Sequence, residues 1–155
     1  MKSFETSGSR VATLLAAVIM LLGSLQLQAQ TPKEWKQLKG DVTLYMANDL
    51  GRNGYYDQKP IAELMGEMAK TTGMECVLAV GDIHHFNGVA SVNDPLWMTN
   101  FEQVYSHPEL MLDWFPVLGN HEYRGNTQAV LDYSKVSRRW MMPALSYTKV
   151  FEDNG

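Results

Sequence analysis

The sequence predicts an α/β fold built on a parallel β-sheet, and two observations support this prediction. Three short apolar segments alternate along the chain with segments in which apolar residues recur at helical spacing. The apolar segments are continuous runs, which is typical of strands that are covered on both faces in a parallel sheet. Because strands and helices alternate, we expect the helices to lie on the faces of that sheet.

Each of the three predicted strands ends at a glycine or at a polar residue. The first, VTLYMAND, is Val42–Asp49 and runs into a loop rich in turn-forming residues, LGRNGYYDQ. The second, CVLAV, is Cys76–Val80 and stops at Gly81, and the third, WFPVL, is Trp114–Leu118. Cys76 is the only cysteine and has apolar neighbours, so we expect a buried thiol and no internal disulfide.

Three helices are predicted in the remaining segments. The first begins near Pro60 and ends at Gly73, the second follows Pro95, and the third runs from about Asn126 to Arg139. The apolar faces of the first two helices are Ile61, Leu64, Met65 and Met68, and Trp97, Phe101, Val104 and Tyr105. We expect these faces to pack in the core rather than to bind a cofactor.

Residues 1–29 have the layout of a secretory signal peptide. Lys2 and Arg10 precede the apolar run Val11–Leu22, and small or polar residues follow as far as Ala29, the expected cleavage point. The apolar run is shorter than the roughly 20 residues that span a membrane. An uncleaved anchor helix is the alternative. The pattern favours an exported protein, periplasmic or extracellular, without a stable membrane anchor.

The formal net charge is −4 at pH 7, and loss of the signal peptide would make it one unit more negative. An acidic exported domain has no electrostatic basis for binding nucleic acid. The sequence does not indicate an oligomeric state.

Side chains with metal-ligand chemistry follow each predicted strand; they are Asp49, Asp82, Asn120 and His121. Asp82 and Asn120 each come after a glycine, which allows the backbone to turn sharply. Since the carboxyl ends of parallel strands meet at one edge of a sheet, we expect these residues to lie together there. Carboxylates, amide oxygens and imidazoles bind divalent metals. A carboxylate can also bridge two ions about 3.5–4 Å apart, the arrangement that serves in-line attack at phosphorus.

The segments DLG, GDIHH and GNHE, in that order, resemble the motifs of the calcineurin-like metallophosphoesterases. The longer segment GNHEYRGNTQAVLDYSKVSRRW is similar to the purple acid phosphatases of the tartrate-resistant type. The resemblance extends from about Val42 to the end of the chain. It implies a four-layer α/β/β/α sandwich, of which residues 30–155 would be the N-terminal part. It also implies hydrolysis of a small phosphoester by metal-bound hydroxide at a dinuclear metal site.

The resemblance also implies a role for each residue of this set. Asp49 would bind the first metal, Asp82 would bridge both metals, and Asn120 would bind the second through its amide oxygen. His121 would be the catalytic residue that contacts the substrate phosphate. The cofactors would be two divalent or mixed-valence ions of Fe, Zn or Mn.

One departure from the family concerns the first metal. General metallophosphoesterases have a histidine where this chain has Gly51, and the purple branch compensates with a tyrosine at the fifth position of G-D-x-x-Y. Here that position is His85, which we expect to replace the tyrosinate as a ligand, against the alternative of a loop residue. His84 would then be a solvent-facing residue or a support for the site.

The second departure is that the later histidine motifs of the family, GH and GHxH, do not occur. All four histidines precede Arg124. His107 is interpreted as a capping or surface residue, and Arg124 as a residue that assists with a phosphate oxygen or as a surface charge. The chain therefore resembles the front half of the domain, which we expect to be inactive alone. The alternative function is a non-catalytic module that binds phosphate or a partner.

Overall fold

A three-stranded parallel sheet is the centre of the computed structural model, which describes residues 32–151. Its strands are β1 (Leu44–Ala47), β2 (Cys76–Val80) and β3 (Asp113–Val117), in the order β1-β2-β3. Leu44 is opposite Cys76, and Cys76 is opposite Asp113. The predicted parallel α/β arrangement is confirmed, and Cys76 is buried as expected. The predicted signal peptide, residues 1–29, lies outside the described residues.

The helices and helical turns lie before β1, between the strands and after β3. The α-helices are α1 (Pro32–Trp35), α2 (Gln58–Thr72) and α3 (Thr127–Asp132). The 3₁₀ turns are Lys36–Leu38, Pro108–Leu110, Glu122–Arg124 and Tyr133–Lys135, and a π-helical turn spans Met98–Glu102. No helix within residues 32–151 is both long enough and apolar enough to cross a membrane.

Helix α2 ends as predicted, because Gly73 adopts the left-handed conformation (φ 69°) and its N–H donates to the carbonyl of Ala69. Its buried face differs from the prediction. Ile61 and Leu64 are 51% and 42% exposed. The face that packs on the core is formed instead by smaller residues and Met65, namely Gln58, Ala62, Met65, Gly66, Ala69 and Thr72. Because most of these side chains are small, the helix axis can approach its neighbours closely. Burial of this face therefore contributes more to stability than burial of the face with the larger side chains would.

The helix predicted after Pro95 is present, and the third predicted helix is shorter than the sequence suggested. After Pro95 the chain is helical over residues 96–102, of which Met98–Glu102 is π-helical, and all four predicted core residues of that segment are buried. The third helix stops at Asp132, and its extension to Arg139 was wrong. The reason is pairing with the sheet: the Trp114 N–H donates to Arg139 O (2.7 Å) and the Met141 N–H donates to Trp114 O (2.8 Å). These two hydrogen bonds form an isolated parallel bridge between Trp114 and Trp140 at the edge of β3.

The core on the helical side of the sheet is rich in aromatic rings. Trp97 stacks on Tyr133 with ring centroids 3.5 Å apart, and Trp140 meets Trp97 edge-on at 5.1 Å. Buried Arg139 pairs with Glu102 (2.9 Å) and lies over the Phe101 ring, with its guanidinium carbon 4.2 Å from the centroid. This cluster holds the segments after β2 and β3 against the sheet.

The opposite face of the sheet is covered only in part by the described residues. Tyr45 and Ala47 of β1 face the core, but Met46 is 68% exposed. Val80 and Val117 are 40% and 41% exposed on β2 and β3. The continuous apolar runs therefore mark a face that the chain between residues 32 and 151 covers only in part.

Candidate metal centre

The candidate ligands lie where the strands end, and two of them have an unusual backbone. Asp49 follows β1 and Asp82 follows β2, with φ values of 54° and 55°. Non-glycine residues are uncommon in this left-handed region, although aspartate tolerates it better than most. The Asp49 N–H donates to Gly81 O (3.1 Å), so the two turns are hydrogen-bonded to each other. The strained conformations aim both carboxylates at the same edge of the sheet.

Asp82 contacts the loop that follows β3. Its Oδ1 accepts the N–H of His121 (3.1 Å), while Oδ2 lies 4.0 Å from His85 Nε2. A Cβ on Gly119 would overlap the Asp82 side chain and lie within 3.0 Å of its backbone nitrogen. Gly119 is therefore required for close approach, whereas Gly81, with φ 96°, supplies the sharp turn that the sequence suggested.

His85 is buried and directs one ring nitrogen at the two aspartates. Its Nδ1 lies 2.9 Å from the carbonyl oxygen of Gly51. Since a carbonyl only accepts, Nδ1 carries a proton, and in the neutral ring Nε2 presents a lone pair. That lone pair faces Asp49 Oδ1 at 3.4 Å and Asp82 Oδ2 at 4.0 Å. A lone pair that faces two carboxylates needs a cation or a proton between them, and a histidine fixed through Nδ1–H is the usual form of a metal ligand.

Gly51 explains how His85 reaches this position. A Cβ there would overlap the carbonyl oxygen of Ile83 and lie 3.0 Å from His84 N. The loop after β2 therefore packs directly on the Gly51 backbone, and no side chain fits between them. The same packing brings the Gly51 carbonyl to His85 Nδ1.

His121 completes a group of three candidate ligands. Ligand atoms of Asp82, His85 and His121 lie within 4.8 Å of one another. His121 Nδ1 lies between two groups of opposite kind, the carbonyl oxygen of Phe86 (2.7 Å) and the donor Arg124 Nη1 (3.2 Å), so its tautomer is not fixed by these contacts. Arg124 Nη1 also donates to the Phe86 carbonyl (3.2 Å). His121, which the sequence assigned to the substrate, thus also lies among the candidate metal ligands.

Asn120 lies beside Asp82, and the two orientations of its side-chain amide make different contacts with Asp82. With the NH₂ group toward Asp82, it donates to Oδ2 (3.2 Å) and its oxygen accepts from Arg124 Nη2 (3.3 Å). In the opposite orientation the amide oxygen faces Asp82 Oδ2, an arrangement that a shared cation would stabilise. The donor set of two carboxylates, two imidazoles and one amide fits Fe, Zn or Mn.

His84 points away from this site, as expected, but it does not face solvent. It is fully buried, and its ring meets Trp97 edge-on with centroids 4.3 Å apart. Neither ring nitrogen has a hydrogen-bond partner within the described residues. Burial lowers the pKa of His84 to about 3, so the ring is neutral and packs as part of the aromatic core.

His107 acts as a helix cap, which the sequence suggested as one possibility. Its Nδ1 accepts the N–H of Glu109 (3.2 Å), so its Nε2 carries the proton and faces Glu67 Oε1 at 3.4 Å. An ion could be bound here by three residues, Glu63, Glu67 and His107. A metal at Nε2 would, however, require the proton to move to Nδ1 and would break the cap. This arrangement is that of a structural histidine.

Two residues at the site had no role in the sequence interpretation. Arg52 Nη2 lies 3.9 Å from Asp49 Oδ1, and its guanidinium is 5.8 Å from the centre of the Phe86 ring. A cavity of about 460 Å³ opens beside it, lined by Arg52, Asn53, Tyr55, Tyr56, His85 and Phe86. Glu122 is fully buried between the two ligand loops. The only feature of the sequence that pointed to Glu122 was its position directly after His121 in GNHE.

The chain is similar to phosphatases of known type. It is 32% identical over 137 residues to purple acid phosphatase 4 of Arabidopsis thaliana, covering 86% of this chain and 40% of that protein. With purple acid phosphatase 7 of the same plant it shares 35% over 105 residues, 68% of this chain and 32% of that protein. Human tartrate-resistant acid phosphatase type 5 is 37% identical over 90 residues, 56% and 28% of the two chains.

The chain is a metallophosphoesterase relative of the purple acid phosphatases. It spans about a third of the length of the curated relatives it matches. No family model matches the chain. A solved structure titled "GAP50 the anchor in the inner membrane complex of Plasmodium" is similar in fold, with a TM-score of 0.53 and 26% identity. The match covers 58% of this chain and 29% of that one. The small parallel sheet with its helices is compatible with part of the α/β fold of phosphoesterases.

Proposed function

We propose that the protein is an exported, metal-dependent phosphoester hydrolase of the purple acid phosphatase type. Its dinuclear centre would use Asp49, Asp82, His85 and Asn120, with Asp82 shared between the two metals. His121 would be the catalytic histidine that contacts the phosphate. The substrate would be a small phosphoester.

The observation that carries this proposal is the convergence of Asp82, His85 and His121, whose ligand atoms lie within 4.8 Å of one another. His85 Nδ1 donates its proton to the Gly51 carbonyl, and the ring centroids of His85 and His121 lie 4.1 Å apart. His85 Nε2 is therefore left to face the carboxylates of Asp49 and Asp82. Without an ion, lone pairs and anionic oxygens would repel one another across this gap. The arrangement supports a cation site rather than a set of structural polar residues.

Two metal ions, when bound, would supply Lewis acidity that polarises the phosphoryl oxygens and activates water for in-line attack at phosphorus. The chain would supply binding and orientation. Arg52 lies beside Asp49 and Arg124 lies beside His121, and both can donate to phosphate oxygens. An imidazolium at His121 would keep its Nδ1 bond to Phe86 O and donate from Nε2 to an ester oxygen. The cavity beside His85 would accept the organic group.

The four-layer sandwich and the cellular location belong to the same proposal. The apolar face of the sheet around Met46, Val80 and Val117 supports a second sheet as its cover, as the family resemblance implies. Export rests on the signal-like pattern of residues 1–29. A non-catalytic binding module is not favoured, because the relatives are named phosphatases and the candidate ligands come together.

The test is hydrolysis of a chromogenic phosphate ester by the protein expressed to its natural stop codon, after reconstitution with Zn²⁺, Mn²⁺ or iron. We expect metal-dependent turnover that Asp82→Ala abolishes, because one carboxylate serves both ions. Asp132→Ala is the matched control, since within residues 32–151 that carboxylate pairs with Lys135 and Gln128, which lie outside the site. Absence of turnover with every metal would refute the proposal, and near-normal turnover by Asp82→Ala would refute its ligand assignment.

A further inference from the structure

Glu122 is a buried carboxylate that joins the two loops carrying the candidate ligands. It is fully buried in the 3₁₀ turn Glu122–Arg124. Its Oε2 accepts the N–H groups of Gly119 (2.8 Å) and Asp82 (3.0 Å). Its Oε1 accepts those of Ile83 and His84, both at 2.8 Å. One side chain therefore satisfies four backbone donors, three from the loop after β2 and one from the loop after β3.

The geometry identifies the form of this side chain. A carboxylate has about four acceptor positions, and all of them are matched here by N–H donors. A protonated acid would turn an O–H toward one of those donors. Among residues 32–151 no basic side chain forms an ion pair with Glu122, so the backbone amides alone compensate its charge. The anion is the form that fits.

The same hydrogen bonds account for the left-handed backbone of Asp82. Successive N–H groups that converge on an anion form a nest, and a residue in the left-handed region is one of the conformations that creates it. The N–H groups of Asp82, Ile83 and His84 converge in this way on Glu122. Without the anion, Asp82 would lose the interaction that holds φ at 55°, and its carboxylate would no longer be aimed at the site.

We propose that Glu122 is a positioning residue, an internal anion that fixes both ligand loops so that Asp82, His85 and His121 meet at one point. It touches neither metal nor substrate in this role and acts through the backbone. The inference rests on the proposed function for its consequence, the metal site, but its structural part can be measured without metal.

The decisive variant is Glu122→Gln in the full chain, because it keeps the size of the side chain and removes the charge. An amide offers one acceptor oxygen and turns an NH₂ group toward two of the four N–H donors. We expect amide hydrogen exchange at Asp82, Ile83, His84 and Gly119, followed by NMR in the metal-free protein, to accelerate at least about tenfold. We also expect the Kd for Zn²⁺ to rise about 10–100-fold, as when outer-shell supports of metal ligands are lost.

Glu102→Gln is the matched control. Glu102 is a part-buried carboxylate that accepts from Tyr133 and Arg139, which are not among the proposed ligands. We expect Glu102→Gln to lower the melting temperature while the four amides and the Zn²⁺ affinity keep their wild-type values. A Co²⁺ spectrum adds a signature that stability alone does not move: its d–d bands should change with Glu122→Gln and not with Glu102→Gln.

If Glu122→Gln does not fold, Glu122→Asp replaces it. Aspartate keeps the charge but is one methylene shorter, so it should protect the amides of one loop and release those of the other. Wild-type exchange at all four amides in the folded variant would overturn the proposal, as would a wild-type Zn²⁺ affinity where the parent binds Zn²⁺. If the parent itself binds no Zn²⁺, the proposed function fails, and the exchange rates still decide the role of Glu122.

Discussion

Replacement of Gly51 by alanine tests how the two ligand loops pack. The added Cβ would overlap Ile83 O, far inside the 3.0 Å that real Cβ atoms keep, and the atoms in its way are backbone. Overpacking of a buried position costs about 1–3 kcal/mol. Displacement of the Gly51 carbonyl would also weaken its bond with His85 Nδ1, at about 1 kcal/mol. We therefore expect the free energy of unfolding to fall by roughly 3 kcal/mol, a large part of the stability of a small domain.

The assay is urea unfolding of Gly51→Ala beside Gly40→Ala, together with Zn²⁺ titration of both. Gly40 is the matched control because a Cβ there would lie 3.5 Å from Val42 O, which is ordinary contact, and the position is exposed. We expect Gly40→Ala to stay within about 0.5 kcal/mol of the parent. Gly51→Ala should also bind Zn²⁺ about 10–100-fold more weakly, since His85 loses its fixed orientation. A folded Gly51→Ala protein with parental stability would refute the reasoning.

Three further predictions concern colour, stability and export. The iron-loaded protein, expressed to its natural stop codon, should show no intense tyrosinate absorption band. His85→Tyr should create such a band. An intense tyrosinate band in the parent protein would mean that His85 is not the ligand. Arg139→Leu should lower the free energy of unfolding by about 3–5 kcal/mol, because it removes the ion-pair partner of Glu102 and the donor to the Tyr105 carbonyl. Lys135→Leu, at an exposed ion pair, should leave the melting temperature unchanged, and equal melting temperatures of the two variants would contradict the first expectation. N-terminal sequencing of the exported protein should begin at Gln30, and retention of Met1 would exclude cleavage.

Local chain chemistry predicted the strands and the end of α2 well. Cys76–Val80 is a strand with the bounds expected, because a run of apolar, largely β-branched or small residues between turn formers has few other ways to be buried. Gly73 ends α2 because only glycine adopts the left-handed cap without a steric cost. Helix lengths and faces were less accurate, since they depend on partners. Residues 136–139 left the predicted helix because the edge of β3 offered hydrogen bonds, and Ile61 faces solvent because Ala62 and Gly66 allow closer packing.

The sequence alone determined which residues are candidates for the site and that they lie at one edge of a parallel sheet. This arrangement can be predicted because the strand ends and the residue types that follow them are local properties of the sequence. Only the tertiary structure decided how the candidates meet. His85 and His121 contact the carbonyls of Gly51 and Phe86, which are 34 and 35 residues away in the chain. Glu122 reaches back 38–40 residues to the loop after β2. Such contacts exist only once the strands are side by side, because hydrogen bonds of this kind require atoms within about 3 Å and sequence spacing does not encode that distance.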